Sequence, residues 1–292
     1  MKKTFTIAAL LALVAAHTAE AETTVRRGSY LVNTILACGN CHTPRDPTGA
    51  LLPDKALSGG GLTITTPAFS VTAPNITSDP DSGIGEWSDA EIKRALVEGI
   101  RPDHGHLPGV PLAAVMPVQF YKALLPDDLD AIVAYLRTVP SVRHAVPDPE
   151  YKLSPQRAPY PDAERGFSKS ELSDPVRHGA YLVTIGHCME CHSMWSAGVS
   201  DYVGGLGRGG RPFGPRLIHG LGPTWQGAMA PNITSDPNMG IGTWTDDEIA
   251  RAIRQGIARD GRHLSPPMAF PFYSKLSDAD IHDVVAYLRL LK

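Results

Sequence analysis

Nearly every landmark in this 292-residue chain occurs twice. Ala73-Pro-Asn-Ile-Thr-Ser-Asp-Pro80 recurs letter for letter as Ala230 to Pro237, and Gly83-Ile-Gly-Glu-Trp87 recurs as Gly240-Ile-Gly-Thr-Trp244. Val133-Ala-Tyr-Leu-Arg137 returns as Val285-Ala-Tyr-Leu-Arg289, and Gly28-Ser-Tyr-Leu-Val32 answers to Gly179-Ala-Tyr-Leu-Val183. Self-similarity of this kind marks a repeated structural unit. The spacing between copies changes only between landmarks, where a loop absorbs an insertion. Pro140, Pro147, Pro149, Pro155, Pro159 and Pro161 fill the interval and predict an extended linker. The copies are placed at 22–146 and 172–292, with the linker over 147–171.

Each copy reads as helical. A first helix is expected over Val25 to Ala37, with a partner opening near Asp174-Pro175, where proline suits the first turn. Ser88-Asp-Ala-Glu91 and Thr245-Asp-Asp-Glu248 both fit the capping box, in which hydroxyl and carboxylate satisfy orphan N–H groups reciprocally. Apolar Ile92, Ala95 and Leu96 follow at helical spacing, and Gly99 is placed to stop that helix. A last helix opens at Pro126-Asp127-Asp128, and its counterpart at Ser277. Gly28 and Gly179 would let each first helix approach the last one closely. The fold class expected is all-α.

The chemistry sits in Cys38-Gly-Asn-Cys-His42 and Cys188-Met-Glu-Cys-His192, which together use all four cysteines. Cys-x-x-Cys-His is the spacing of covalent c-type haem attachment: two thiols add to the haem vinyls and the adjacent imidazole reaches the iron. A zinc site would want closed tetrahedral ligation, and a dithiol redox motif needs no histidine after the second cysteine. Two haems c are expected, held by Cys38, Cys41, Cys188 and Cys191, with His42 and His192 as proximal ligands. For the sixth position Met116 and Met268 are the candidates, because both stand at the same distance before Tyr121 and Tyr273. Core packing is the bland alternative for a methionine, and His106 with His263 is a competing ligand pair. Asn75, Trp87, Asn232 and Trp244 form a second shared set. Their N–H groups suit haem propionates, or they only stitch the loop.

Lys2 and Lys3, the apolar run Ile7 to Ala16 and Ala19-Glu20-Ala21 form the pattern of a secretory signal peptide over 1–21. Cleavage near Ala21, export to the periplasm and a mature chain without a transmembrane segment are expected. A formal net charge of −3 without a basic run argues against nucleic acid as a partner. The glycine-rich stretch Gly204 to Gly214, with Arg208, Arg211 and Arg216, reads either as a solvated loop or as a docking edge beside the second haem.

Taken together, CxxCH at 38–42 and 188–192, APNITSDP-x-x-GIG-x-W at 73–87 and 230–244, and a methionine before tyrosine at 116 and 268 resemble one known family. It comprises the cytochrome c domains of the cytochrome subunits of membrane-bound alcohol and gluconate dehydrogenases. The resemblance covers nearly all the mature chain outside the linker. It implies two tandem class I-like cytochrome c domains with His/Met ligation, joined by the Pro-rich linker. It also implies an electron-transfer role: a dehydrogenase is the donor, and another cytochrome or a terminal oxidase the acceptor. This chain departs from the family pattern in having two haem units rather than three and no evident membrane-associating tail. A dihaem peroxidase is the alternative reading, but it predicts unlike haem domains, whereas these copies match at every ligand.

Overall fold

Each copy opens with a helix pair crossing at a glycine. In the first copy, helix α1 (residues 23–33) lies so close to the last helix that a Cβ on Gly28 would meet the Ala131 carbonyl oxygen at 1.8 Å. In the second, a Cβ on Gly179 would meet the Asp283 carbonyl oxygen at 1.9 Å. No side chain fits at either crossing. The computed structural model that shows this describes residues 23–196 and 198–292. The expected signal peptide over 1–21 and its expected cleavage near Ala21 lie outside the described residues.

After α1 come α2 (Cys38–His42), α3 (Asp89–Glu98), α4 (Val118–Tyr121) and α5 (Pro126–Thr138). Helix α6 (Pro161–Arg165) lies in the connecting stretch. The second copy repeats the series as α7 (Pro175–Ile185), α8 (Cys188–His192), α9 (Asp246–Gln255), α10 (Phe270–Tyr273) and α11 (Asp278–Leu288). The capping boxes form as the sequence predicts: Ser88 accepts from the Glu91 amide and Thr245 from the Glu248 amide, and each glutamate bonds back. Gly99 and Gly256 end those helices in the left-handed region, at φ 74° and 65°, which glycine enters without penalty.

The all-α expectation is wrong. Helices take only 35% of the described residues, and eight short strands form three sheets among them. Thr63–Thr65 (β1) and Phe69–Thr72 (β2) make an antiparallel hairpin, with Thr63 opposite Thr72. Glu150–Tyr151 (β3) from the connecting stretch adds to one edge. The pairs Met194–Ser196 (β4) with Val199–Asp201 (β5), and Pro212–Phe213 (β6) with Ala228–Met229 (β8), stand apart. Ile218–His219 (β7) closes the other edge of the four-stranded sheet, ordered β3-β2-β1-β7, with Ile218 opposite Ile64. These strands run two to four residues, too short for period-two alternation to register. The partners of β1 and β2 at the sheet edges also lie far away in sequence.

The two copies share one core. Leu31, Val32 and Ile35 of the first bury in the same cluster as Leu182, Val183 and Ile185 of the second. They also exchange equivalent tyrosines. Tyr30, of the first Tyr-Leu-Val motif, hydrogen-bonds the Asp280 carboxylate at the start of α11. Tyr181, its counterpart, donates to Asp128 Oδ2 at 2.7 Å at the start of α5. Arg27 holds the same Asp128 with two bonds of 2.7 and 2.9 Å. The stretch between the copies is packed rather than loose. Tyr160 is 1% exposed and its ring lies 4.7 Å from Phe120. The Arg157 guanidinium donates to the Leu112 and Ala113 carbonyls, both at 2.8 Å, just ahead of Met116.

Candidate functional site

Both CxxCH motifs form one-turn helices entered through a left-handed residue, Ala37 at φ 47° and His187 at φ 44°. One helical turn sets the two cysteines of each motif on the same side, with the histidine beside the second. All four thiols are free, and burial pushes each of them up: Cys38, Cys188 and Cys191 to about 12, and Cys41 to about 11. Thiols held protonated in this way lack the reactive thiolate that a redox dithiol needs.

The histidines show what the duplicated octapeptide is for. His42 Nδ1 lies 2.7 Å from the Pro74 carbonyl oxygen, and His192 Nδ1 lies 2.9 Å from that of Pro231. A carbonyl only accepts, so each Nδ1 carries the proton and each Nε2 keeps its lone pair. Burial also lowers the pKa of both imidazoles, keeping them neutral. A neutral ring, fixed in tautomer and direction by a backbone acceptor, is prepared for a metal. The octapeptide loops are rigid in turn. Asn75 Oδ1 accepts from the Thr77 amide and hydroxyl at 2.9 and 2.7 Å, and Asn232 Oδ1 from those of Thr234 at 2.8 and 2.7 Å. The Asn75 amide is spent on Ser82 Oγ and the Val142 carbonyl. Pro74 and Pro231 escape a reading of side-chain chemistry because their contribution is a main-chain oxygen; letter-for-letter repetition was the available signal.

Both motifs open on one cavity of about 1870 Å³, well above the roughly 300–1,000 Å³ of an ordinary single-ligand pocket. Met116 and Met268 line it, as do the half-buried Trp87 and Trp244. Met229 and Met239 also line it, as largely exposed side chains with no equivalent methionine in the first copy. Met189 is wholly buried in the core, while Met194 is exposed. His106 and His263 are both exposed at the cavity edge, His106 with its Nε2 3.1 Å from Asp148 Oδ1 and His263 in an isolated bridge to Ile257. Tyr121 and Tyr273, buried at the same place in each copy, also line the cavity. These donors fit haem c in each copy: half-buried thiols facing the cavity, an imidazole with free Nε2, a thioether on the cavity wall and apolar walls around them.

The arginine-bearing loop is largely structural. Arg211 lies over the Trp195 ring at 4.1 Å and donates to the Glu190 carbonyl at 2.8 Å, while β7 of the same insertion pairs with β1. Arg208 and Arg216 remain exposed. Half-buried Glu91 with exposed Asp103 and His104 could approach a cation, but Glu91 is engaged as a helix cap, and the Ser88 N–H holds its carboxyl down at about 2. No helix of the described residues is long and apolar enough to cross a membrane.

Paired thiols, tautomer-locked histidines and a shared apolar cavity define a c-type cytochrome, and covalently bound haem c is its cofactor. The cytochrome c family model matches residues 176–292. The chain is 32% identical over 281 residues to the cytochrome c subunit of a quinone alcohol dehydrogenase from Gluconobacter oxydans, covering 88% of this chain and 53% of that protein. It is 30% identical over 284 residues to the fructose dehydrogenase cytochrome subunit of Gluconobacter japonicus, covering 91% and 52%. To a dihaem c-type cytochrome of Cereibacter sphaeroides it is 28% identical over 270 residues, covering 86% and 81%. The chain thus resembles dehydrogenase cytochrome c subunits over most of its own length and spans about half the length of those subunits.

Proposed function

We propose that this chain is a dihaem electron-transfer subunit of a dehydrogenase. The single observation that carries the reading is the twofold recurrence of a CxxCH imidazole locked by a proline carbonyl, both opening on one cavity. One haem is attached at Cys38 and Cys41 with His42 as ligand, the other at Cys188 and Cys191 with His192. Met116 and Met268 supply the sixth ligands. The bound haems supply one-electron chemistry; the chain holds them, excludes water and sets their spacing. The copies form two cytochrome c domains, 22–146 and 172–292, joined by the stretch 147–171. The Trp87 and Trp244 indoles and the Asn232 amide are the propionate donors, the Asn75 amide being spent within its own loop.

Two six-coordinate sites sharing one cavity suit the passage of electrons and leave no position for a substrate. The resemblance to dehydrogenase cytochrome subunits makes a dehydrogenase the donor, and a further cytochrome or terminal oxidase of the respiratory chain the acceptor. Haem c attachment follows export, so the site of action is the periplasm. Deleting the gene tests this. Cells should keep their dye-linked alcohol, sugar or gluconate dehydrogenase activity while losing oxygen uptake on one of those substrates. Unchanged oxygen uptake on all of them would refute the electron-transfer assignment.

A further inference from the structure

The copies stop being alike at the junction between their CxxCH helices. Where the first copy has Ala37 and Asn40, the second has His187 and Glu190 at the same positions of the motif. The backbones match, both helices being entered in the left-handed region. The side chains do not. Asn40 Nδ2 donates at 2.9 Å to the carbonyl of Pro267, one residue before Met268, so the first motif reaches across to the second copy's methionine loop. Glu190 puts a carboxylate at the corresponding place. Its side chain is only 11% exposed, with Oε2 3.3 Å from His187 Nδ1. Its carbonyl is pinned by Ser200 Oγ and Arg211 Nη1, both at 2.8 Å. Glu190, Cys41 and Cys191 line the same cavity.

We propose that Glu190 is a fixed negative charge that separates the redox potentials of the two haems, making the haem of the second copy the lower. The inference rests on the haem positions given under Proposed function. A ferric centre carries one more positive charge than a ferrous one, so a nearby carboxylate favours the oxidised state. Burial keeps that field from being screened as it would be in water. Glu190 stands within the second motif helix, between Cys188 and Cys191, so the haem of the second copy feels its charge more. The first motif has the neutral amide of Asn40 at the same position. With haem held at each motif, one electron would leave the second copy's haem, oxidising it, and reduce that of the first, with no proton moved.

Redox titration of the intact holoprotein, followed in the visible spectrum, tests this with Glu190→Gln and Glu190→Asp. The native protein should titrate in two one-electron steps. In Glu190→Gln the lower midpoint should rise more than the upper, reducing the inter-haem equilibrium constant about tenfold, or about 59 mV for one electron. Glu190→Asp should keep the native separation, and neither variant should alter haem content or the sulfur-to-iron band. Unmoved midpoints in Glu190→Gln would overturn the proposal. So would equal shifts in both variants accompanied by a changed sulfur band, since that result belongs to packing rather than charge. A holoprotein with fewer than two covalent haems would overturn the haem positions themselves, a failure visible before any potential is measured.

Discussion

A chain in which Cys38, Cys41, Cys188 and Cys191 are all alanine should not reach the native fold. Both motifs line a cavity of about 1870 Å³ that is partly open to solvent. Leaving its walls without the packing contacts of the haems costs a free energy that is large against the roughly 5–15 kcal/mol that holds a folded domain together. Water does not relieve this, because the walls are mainly apolar side chains that give a water molecule few partners. The core runs through both copies, so the loss is shared: Leu31 and Leu182 belong to one cluster. Replacing only Cys38 and Cys41 should therefore weaken the second copy as well. Circular dichroism should show no cooperative thermal transition in the fourfold variant. In the twofold variant, a single transition at lowered temperature should report both halves. A native-like melt of the fourfold variant would mean that the cavity is not the haem site.

Met116→Ala and Met268→Ala should each abolish one sulfur-to-iron charge-transfer band and lower one midpoint potential. The thioether is a soft neutral ligand that favours ferrous iron, and its removal hands the position to water or a weaker donor. Axial ligands tune haem potentials over roughly 0.8 V, and a substantial part of that range should be lost at the affected haem while the other stays close to native. Each methionine is held by different means. Arg157 ties the carbonyls of Leu112 and Ala113 ahead of Met116, whereas Asn40 of the opposite copy ties Pro267 beside Met268. If His106→Ala and His263→Ala remove the sixth ligand while the methionine variants keep their bands, the axial assignment is wrong. His106 lies against Asp148, and His263 is exposed, which favours the methionines.

Local chemistry was readable where a side chain acts on its own neighbourhood. Ser88 with Glu91 and Thr245 with Glu248 announce helix starts because the capping bonds span three residues. Gly28 and Gly179 announce close helix crossings because no other residue would be tolerated there. The strands were not readable. β1 and β7 belong to different copies and pair because an insertion in the second copy reaches back to the first, which no local periodicity encodes. The same distance hides the exchange of Tyr30 and Tyr181 between the copies. In the site itself, cysteines and histidines advertise their chemistry. The carbonyls of Pro74 and Pro231, which decide the histidine tautomers, are oxygens that every residue possesses.

The most direct test of the account is peptide mapping of the purified holoprotein by mass spectrometry after acid-acetone treatment. The account predicts no haem in the extract and a polypeptide heavier by two haems. One should be on the peptide containing Cys38 and Cys41, the other on the peptide containing Cys188 and Cys191. Release of free haem, or either peptide recovered with unmodified cysteines, would contradict it.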